Sequence, residues 1–442
     1  MNINHFEPKS YWMTTQSYSP GNPLGGDLDV DVAIVGGGFT GLSTAYHLKK
    51  ASPDMKIGLF ESDILGYGAS GRNGGFNMTL FGLTLGITAL RFGKSKAKEA
   101  HQYMEKAVDL TRDLVTDLGL ECDYEHPGFL RVATSEKYKT RILHDIELAQ
   151  KLGLEGIEWL EKAQIQNEVH SPQFLGAWSE PRCGILNPAK LAWAWAKQIR
   201  DMGVDIYENT PVAAISPGKK KIELTTPNGT VQADKVVLAV NAWSHFFSHT
   251  KNKQVPVWTH IVLTEPLSRE QLNQIGWKKR QGIEDARNLV HYYRLTADNR
   301  IAMGGRDVSI TNGYEMDRDN NEQIFAGLRE DVGKIFPFLK NISFSHAWGG
   351  PVSVTLDMAP ALGYLGDKRV VYSLGCVGHG VSLSHLNGQT IRDLILGDVT
   401  ELTDVFFVNR RTIPWPPGLL KTAAVKAIRG YLRFEDRLFD PK

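Results

Sequence analysis

The chain has 442 residues, enough for two or three domains or one large two-part enzyme. Hydrophobic residues make up 42% and charged residues 22%, and the formal net charge of +1 leaves no one-signed field to attract nucleic acid. Three scattered cysteines, Cys122, Cys183 and Cys376, form neither a metal-type pair nor a disulfide framework, so a reducing, cytoplasmic setting is expected.

Residues 1–28 read as an irregular lead-in, and "MNINHFEPKSYWM" lacks the basic start and apolar run of a secretory signal. "DVDVAIVGG" then reads as a buried strand, Phe39 onward as a helix, and "KIGLFES" as a second strand ending at Glu61, which together make a βαβ unit. Gly36, Gly38 and Gly41 fit G-x-G-x-x-G. The first allows a tight turn, the second lets backbone approach a pyrophosphate, and the third lets helix pack against strand. The helix start offers free N–H groups and the positive end of its dipole. Glu61 stands twenty residues beyond Gly41, where a carboxylate accepts hydrogen bonds from a ribose diol and disfavours a 2′-phosphate. The motif therefore favours NAD or FAD over NADP; the alternative is a glycine turn of some other α/β fold.

"GYGASGRNGGF", Gly66 to Phe76, supplies a second glycine loop with Arg72 and Asn73 as polar contacts. The uncharged "GGFNMTLFGLTLGITAL" reads as buried loop and short helix, with membrane contact as the lesser alternative. A helical block follows, in which Met104, Ala107, Val108, Leu110, Leu114, Val115 and Leu118 recur at helical spacing and Gly119 caps the end. "GFLRVAT" is expected as a strand and "RILHDIELAQKLG" as a helix. In "LNPAKLAWAWAKQIRDMG", Asn187 caps a helix, Pro188 suits its first turn and Gly203 ends it. "VDIYENTPV" and "KVVLAVNAW" return to strand, which suggests a nucleotide-binding domain interrupted by a second domain. Residues 255–310 look β-rich, with "ADNR" as a hairpin turn; a helix follows around "NEQIFAGLREDVGKIF". "VVYSLGCVGHGVSLSHLNGQTIRDLILG" reads as strand, glycine loop and helix. Two glycine loops beyond the first suit a cofactor longer than its adenylate half, with a flavin ring at its far end.

The order "VGGGFTGLSTAYHL … FES … GYGASGRNGG … YYRLTADNR … GHGV" resembles the glycine oxidase, D-amino-acid oxidase and sarcosine oxidase family of FAD enzymes along nearly the whole chain. The resemblance implies an α/β plus α+β architecture: a glutathione-reductase-like (Rossmann-type) FAD-binding domain with an interleaved substrate domain on a large antiparallel sheet. The expected division is 1–78, 187–250 and 350–400 for FAD, 79–186 and 251–349 for the substrate or cap domain, and 401–442 as a C-terminal helical extension. It further implies that Gly36, Gly38, Phe39, Thr40 and Gly41 face the pyrophosphate and that Glu61 and Ser62 face the adenosine ribose. Gly68, Ala69, Ser70, Gly71, Arg72, Asn73, Gly74 and Gly75 would follow the pyrophosphate and flavin, and the Val212 backbone would meet adenine. Gly378, His379, Gly380 and Val381 would approach the flavin's pyrimidine end, where a helix start stabilises negative charge on the reduced ring. Some family members bind flavin covalently through Cys or His. "GPVSVTLDMAP" has no Cys and "GASGRNGG" no His at those places, so noncovalent FAD is expected.

The implied reaction oxidises the carbon beside an amine nitrogen by hydride transfer to flavin N5, leaving an imine that water hydrolyses to a carbonyl product. Oxygen or another acceptor then takes the electrons. Primary and secondary amines, γ-glutamylated amines, glycine-like amino acids and D-amino acids are all open as substrates. Tyr293, Arg294, Arg306, Trp348 and His379 are the side-chain candidates: an arginine to hold a carboxylate, Trp348 to wall the ring, His379 in the cofactor loop. For either arginine the alternative is a structural ion pair, and for Trp348 simple core filling. No metal-ligating cluster stands out. The strand "RIAMGG" has Ala302 where sarcosine oxidases carry an oxygen-activating lysine, so oxidase and dehydrogenase both stay open. Beyond "PWPPG", the basic amphipathic segment holding Lys421, Lys426, Arg429, Arg433 and Arg437 is either a helix docked on the body or a peripheral membrane contact that feeds a membrane acceptor. Competing classes are an NAD dehydrogenase, a glycine or D-amino-acid dehydrogenase, and a flavoprotein without turnover.

Overall fold

The computed structural model describes residues 6–311 and 315–440. Among them, two large sheets share the work. The first has a parallel centre in the order Asp367–Leu374, Gly229–Leu238, Leu28–Val35, Ile57–Phe60 and Asp205–Tyr207. Ala361–Leu365 closes one edge antiparallel, and Ala214–Pro217 with Ile222–Thr226 form an antiparallel flap on the long Gly229–Leu238 strand. The central strands are buried on both faces, as parallel strands under crossover helices must be, and they read as near-continuous apolar runs. Helices Phe39–Ala51, Pro188–Asp201 and Gly380–Leu396 cover one face. The Asn187 side chain accepts the Lys190 N–H and caps the second of these, as its sequence anticipates.

The second sheet is mostly antiparallel. Its order is Ser309–Ile310, Val255–Thr264, Ile301–Gly305, His291–Leu295, Gly282–Asp285, Phe129–Val132, Gly176–Glu180 and Glu158–Glu161, with Phe344–Val354 also paired to Val255–Thr264. One pairing, Gly282–Asp285 with Phe129–Val132, is parallel. The far face packs on helix Glu322–Ile335 in a separate apolar core, while the near face turns toward the first sheet. This is the mixed FAD-domain sheet plus large antiparallel sheet that the sequence implied.

Several local expectations are corrected. "VDIYENTPV" is strand only over Asp205–Tyr207. Glu208 then turns inward, fully buried, and accepts from Tyr18 Oη at 2.7 Å, Leu65 N at 2.7 Å and Arg200 Nη2 at 3.4 Å, so it fastens the lead-in to the sheet. The lead-in itself carries a 3₁₀ turn, Tyr11–Thr14, whose Trp12 is buried. The uncharged stretch forms strand Phe76–Asn77 and helix Leu85–Phe92, but Leu90 is 86% exposed, so the whole segment is not buried. No helix among the described residues is long and apolar enough to cross a membrane.

Candidate active site

A cavity of ≈ 1070 Å³ runs between the two sheets. One end is built by the first glycine loop. Strand Leu28–Val35 ends in the turn at Gly36, whose φ of +110° suits glycine. Helix Phe39–Ala51 begins at Gly38 with no side-chain cap of its own residue; instead the Ser70 hydroxyl accepts the Phe39 N–H at 2.9 Å. The second glycine loop thus completes the first. Glu61 accepts from Gly37 N at 2.7 Å and from Asp63 N at 3.1 Å, and burial raises its carboxyl pKa.

Most cofactor candidates come together. Gly36, Gly38, Phe39, Thr40, Glu61, Ser62, Gly68, Ala69, Ser70, Arg72, Asn73, Gly74, Val212, Gly378, His379, Gly380 and Val381 all line the cavity. Gly41, Gly71 and Gly75 do not; they are close-packing glycines. A Cβ on Gly71 would lie 2.5 Å from Gly66 O, and one on Gly75 2.0 Å from Leu186 O. The lead-in holds the second loop from behind, which the sequence did not disclose. Ser10 Oγ donates to Gly71 O at 2.6 Å and Trp12 Nε1 to Asn73 O at 2.8 Å. Arg72 is 1% exposed and lies over the Tyr67 ring. It donates to Tyr67 O at 2.7 Å and to Asp319 at 3.0 Å. At the third loop, a Cβ on Gly378 would meet nothing within 4 Å, and helix Gly380–Leu396 points its N-terminus into the cavity. Two helix starts, three glycine edges and a ribose-ready carboxylate along one trough fit a long, flat, anionic dinucleotide.

The side-chain candidates fare differently. His379 lines the cavity; burial pulls its pKa down to about 4, so the imidazole is neutral, and its Nδ1 has no hydrogen-bond partner. Tyr293 is on the wrong face. Alternation sends it into the far core against Trp277 and Phe336, and its neighbour Tyr292 takes the cavity wall. Arg294 shares the near face but is committed to structure. It lies over the Trp12 ring and donates to Gly75 O at 3.3 Å, and burial lowers its pKa to about 10. Arg306 touches the cavity, yet its guanidinium pairs with Asp331, which also accepts from His291 at 3.0 Å. Trp348 sits under the second loop and donates to Arg72 O at 2.9 Å, outside the cavity lining. Ala302 is buried beside Arg294's strand, and no lysine lines the cavity among the described residues.

The cavity's outer wall comes from helix Leu419–Phe439, whose Val425, Ala427, Ile428, Arg429, Tyr431 and Leu432 line it together with Asn288, Leu289 and Asp307. Arg429 donates to Asp307 at 2.7 and 2.8 Å. The terminal segment is therefore docked on the body, and it contributes to the site.

The comparisons agree with this geometry. Residues 31–394 match the family model described as DAO, FAD dependent oxidoreductase. The chain is 32% identical over 431 residues to gamma-glutamylputrescine oxidoreductase of Escherichia coli K12, covering 97% of this chain and 98% of that protein. It is 26% identical over 393 residues to glycine oxidase of Bacillus licheniformis, covering 86% and 97%. In fold it is similar to the crystal structure of glycine oxidase from Geobacillus kaustophilus, with a TM-score of 0.74 and 22% identity, over 87% of this chain and 100% of that one. The chain belongs to the DAO family of FAD-dependent oxidoreductases and is an enzyme of the amine and amino-acid oxidase type.

Proposed function

We propose that the chain oxidises the C–N bond of a primary or secondary amine, with a γ-glutamylated ω-amine such as γ-glutamylputrescine as the preferred substrate. The observation that carries this reading is the near full-length likeness to the E. coli gamma-glutamylputrescine oxidoreductase, joined to a cavity of ≈ 1070 Å³. Gly36, Gly38 and the Phe39 helix start hold the pyrophosphate, Glu61 and Ser62 the ribose, and the Val212 backbone the adenine. Gly68 to Asn73 run along the cofactor, and Gly378 to Val381 meet its pyrimidine end. Bound FAD supplies the two-electron acceptor for the carbon beside the amine nitrogen. The protein docks that carbon and excludes water. Trp348 and Arg72 keep the inner loop closed, and helix Leu419–Phe439 covers the outer end.

FAD is held without a covalent bond. Among the described residues, Cys376 is the cysteine that reaches the cavity, and burial raises its thiol pKa. Acid precipitation releases the yellow cofactor into the supernatant; colour retained in the pellet contradicts this.

The test of function is anaerobic mixing with γ-glutamylputrescine, putrescine, glycine, sarcosine and D-alanine. γ-Glutamylputrescine is expected to bleach the flavin fastest, and flavin that stays oxidised with the whole panel defeats the reading. Hydrogen peroxide formed per turnover, against reduction of an artificial acceptor, separates oxidase from dehydrogenase. A second reading adds a peripheral membrane contact to a protein otherwise in the cytoplasm. It is favoured by exposed Leu420, Phe434 and Leu438 beside exposed Lys426 and Arg437 on the terminal helix. Pelleting with anionic liposomes that serine substitutions at those three apolar positions abolish is its expected signature.

A further inference from the structure

We propose that Glu284 is a cation-binding group of the active site: its carboxylate docks the substrate's ammonium, accepts one N–H proton from it, and selects amines that lack an α-carboxylate. The proposal rests on the amine-oxidising reading above and names a residue and a substrate class for it.

Across the second sheet, Trp178, Arg131, Glu284, Tyr292, Gly304, Ile261 and Trp348 are successive cross-strand partners. A row of partners shares one face of a sheet, and this face looks toward the glycine loops, as the Trp348 bond to Arg72 shows. Glu284 and Tyr292 are the two members of the row whose side chains form the cavity wall.

Glu284 is only 5% exposed, and no hydrogen-bond donor among the described residues reaches its carboxyl. His379 Nε2 lies 3.9 Å from its Oε1. Of the other charged or titratable groups around it, Arg131, from strand Phe129–Val132, lies 3.5 Å from Asp145 and makes no hydrogen bond to Glu284, although its charge acts on the carboxylate. Asp285, on the same strand, accepts from His291 at 2.8 Å. Tyr292, from the neighbouring strand, has its pKa pushed up to about 12, chiefly by burial. His379, at the start of the covering helix, is uncharged. A buried carboxylate without a donor is costly, and burial with Asp285 outweighs Arg131 to raise Glu284 to about 7. Such a group is stabilised by a cation brought to it.

An alkylammonium titrates near pH ~10, and the carbon beside nitrogen is oxidised from the free amine. A cation partner that can also take the proton meets both needs. The balance is simple: one ammonium N–H proton moves to a Glu284 oxygen, giving the neutral amine and the carboxylic acid. The same carboxylate repels an α-carboxylate. Of the guanidiniums that line the cavity, Arg72 is tied to Asp319, Arg306 to Asp331 and Arg429 to Asp307, while Arg91 stands at an exposed position on the Asp357 carbonyl. An ω-amine with its amino-acid end remote, toward the outer wall, meets no such repulsion.

Two non-oxidisable probes test this on the FAD-loaded protein without turnover: tert-butylammonium and 2-aminoisobutyrate, which differ by a methyl replaced by a carboxylate. Binding is read by calorimetry and by perturbation of the flavin spectrum. The wild type is expected to bind tert-butylammonium at least about tenfold more tightly than 2-aminoisobutyrate, with affinity falling as pH drops below the Glu284 titration. E284Q, checked for unchanged FAD content and melting temperature, is expected to lose about tenfold or more in tert-butylammonium affinity and to lose that acid limb; E284D is expected to retain part of both. Equal binding of tert-butylammonium by E284Q and wild type, or no binding by the wild type, overturns the proposal. Flavin bleaching by amines in the wild type is scored separately, so the oxidation reading and the Glu284 assignment fail independently.

Discussion

Gly41→Ala is expected to yield protein that has lost most of its FAD. A Cβ at this position would lie 2.0 Å from the Gly36 carbonyl oxygen and 3.3 Å from Ile34 Cγ2. The first contact is with backbone, in the turn at Gly36 proposed to meet the pyrophosphate, so it cannot be relieved by a rotamer. Either helix Phe39–Ala51 moves off strand Leu28–Val35 or the Gly36 turn opens, and each displaces the N–H groups proposed to face the phosphates. Overpacking of this kind costs about 3 kcal/mol where the neighbour is rigid. Gly38→Ala is the internal control. Its Cβ would meet a side-chain atom, Ser70 Oγ, at 2.9 Å. Ser70 can turn away, at the cost of its bond to the Phe39 N–H, so a milder loss is expected. FAD released per mole of protein and the melting temperature, measured for both variants, check the order. A Gly41→Ala protein that keeps full flavin content refutes the packing argument.

That prediction could be framed from the sequence because the first glycine loop is a local object. Gly36, Gly38, Gly41 and Glu61 fall within two strands and one helix, and short-range spacing fixes their relation. The second and third loops were legible for the same reason, and the family likeness ordered them. What was not legible is long-range. The choice between Tyr292 and Tyr293 depends on which face of a strand meets the first sheet, and alternation alone gives two answers. Arg294 and Arg306 read equally well as carboxylate ligands until Gly75 O, Trp12 and Asp331 are seen to occupy them. Glu284 lies in "GIEDARN", where a carboxylate at the end of a short strand has no feature that separates it from a solvated edge. The lead-in turn that holds the second loop, through Ser10 and Trp12, lies about sixty residues upstream of what it supports. Composition marked it only as irregular.

Asp436→Ala is expected to open the outer wall of the site while leaving flavin binding intact. Helix Leu419–Phe439 is unusual in how it is held. Val425 is its one fully buried residue, so the apolar contact that secures most amphipathic helices is small. Polar contacts replace it. Asp436 accepts from Tyr138 Oη at 2.9 Å, from the backbone N–H of Asn288 at 2.8 Å and of Leu289 at 3.0 Å, and from Asn288 Nδ2 at 3.0 Å. Glu435 takes Arg141 and Asn288, and Asp440 takes Arg287 and Thr134. Removing the Asp436 carboxylate strands two backbone donors and a phenol, a loss of about 3 kcal/mol concentrated on one helix. The segment that loses its anchor, Asn288 to Val290, lines the cavity, and so do six residues of the helix itself. Because these contacts sit at the outer end, away from the glycine loops, FAD content and the rate of flavin reduction at saturating amine are expected to stay near wild type, while KM rises about tenfold. Proteolysis ahead of the helix, within residues 410–418, is expected to accelerate in parallel, since the clasp and not a core restrains it. Unchanged KM with faster proteolysis would separate the helix from the substrate path and leave it a purely structural strap. Unchanged values of both would mean that Arg429 and Arg433, through Asp307, suffice to keep it closed.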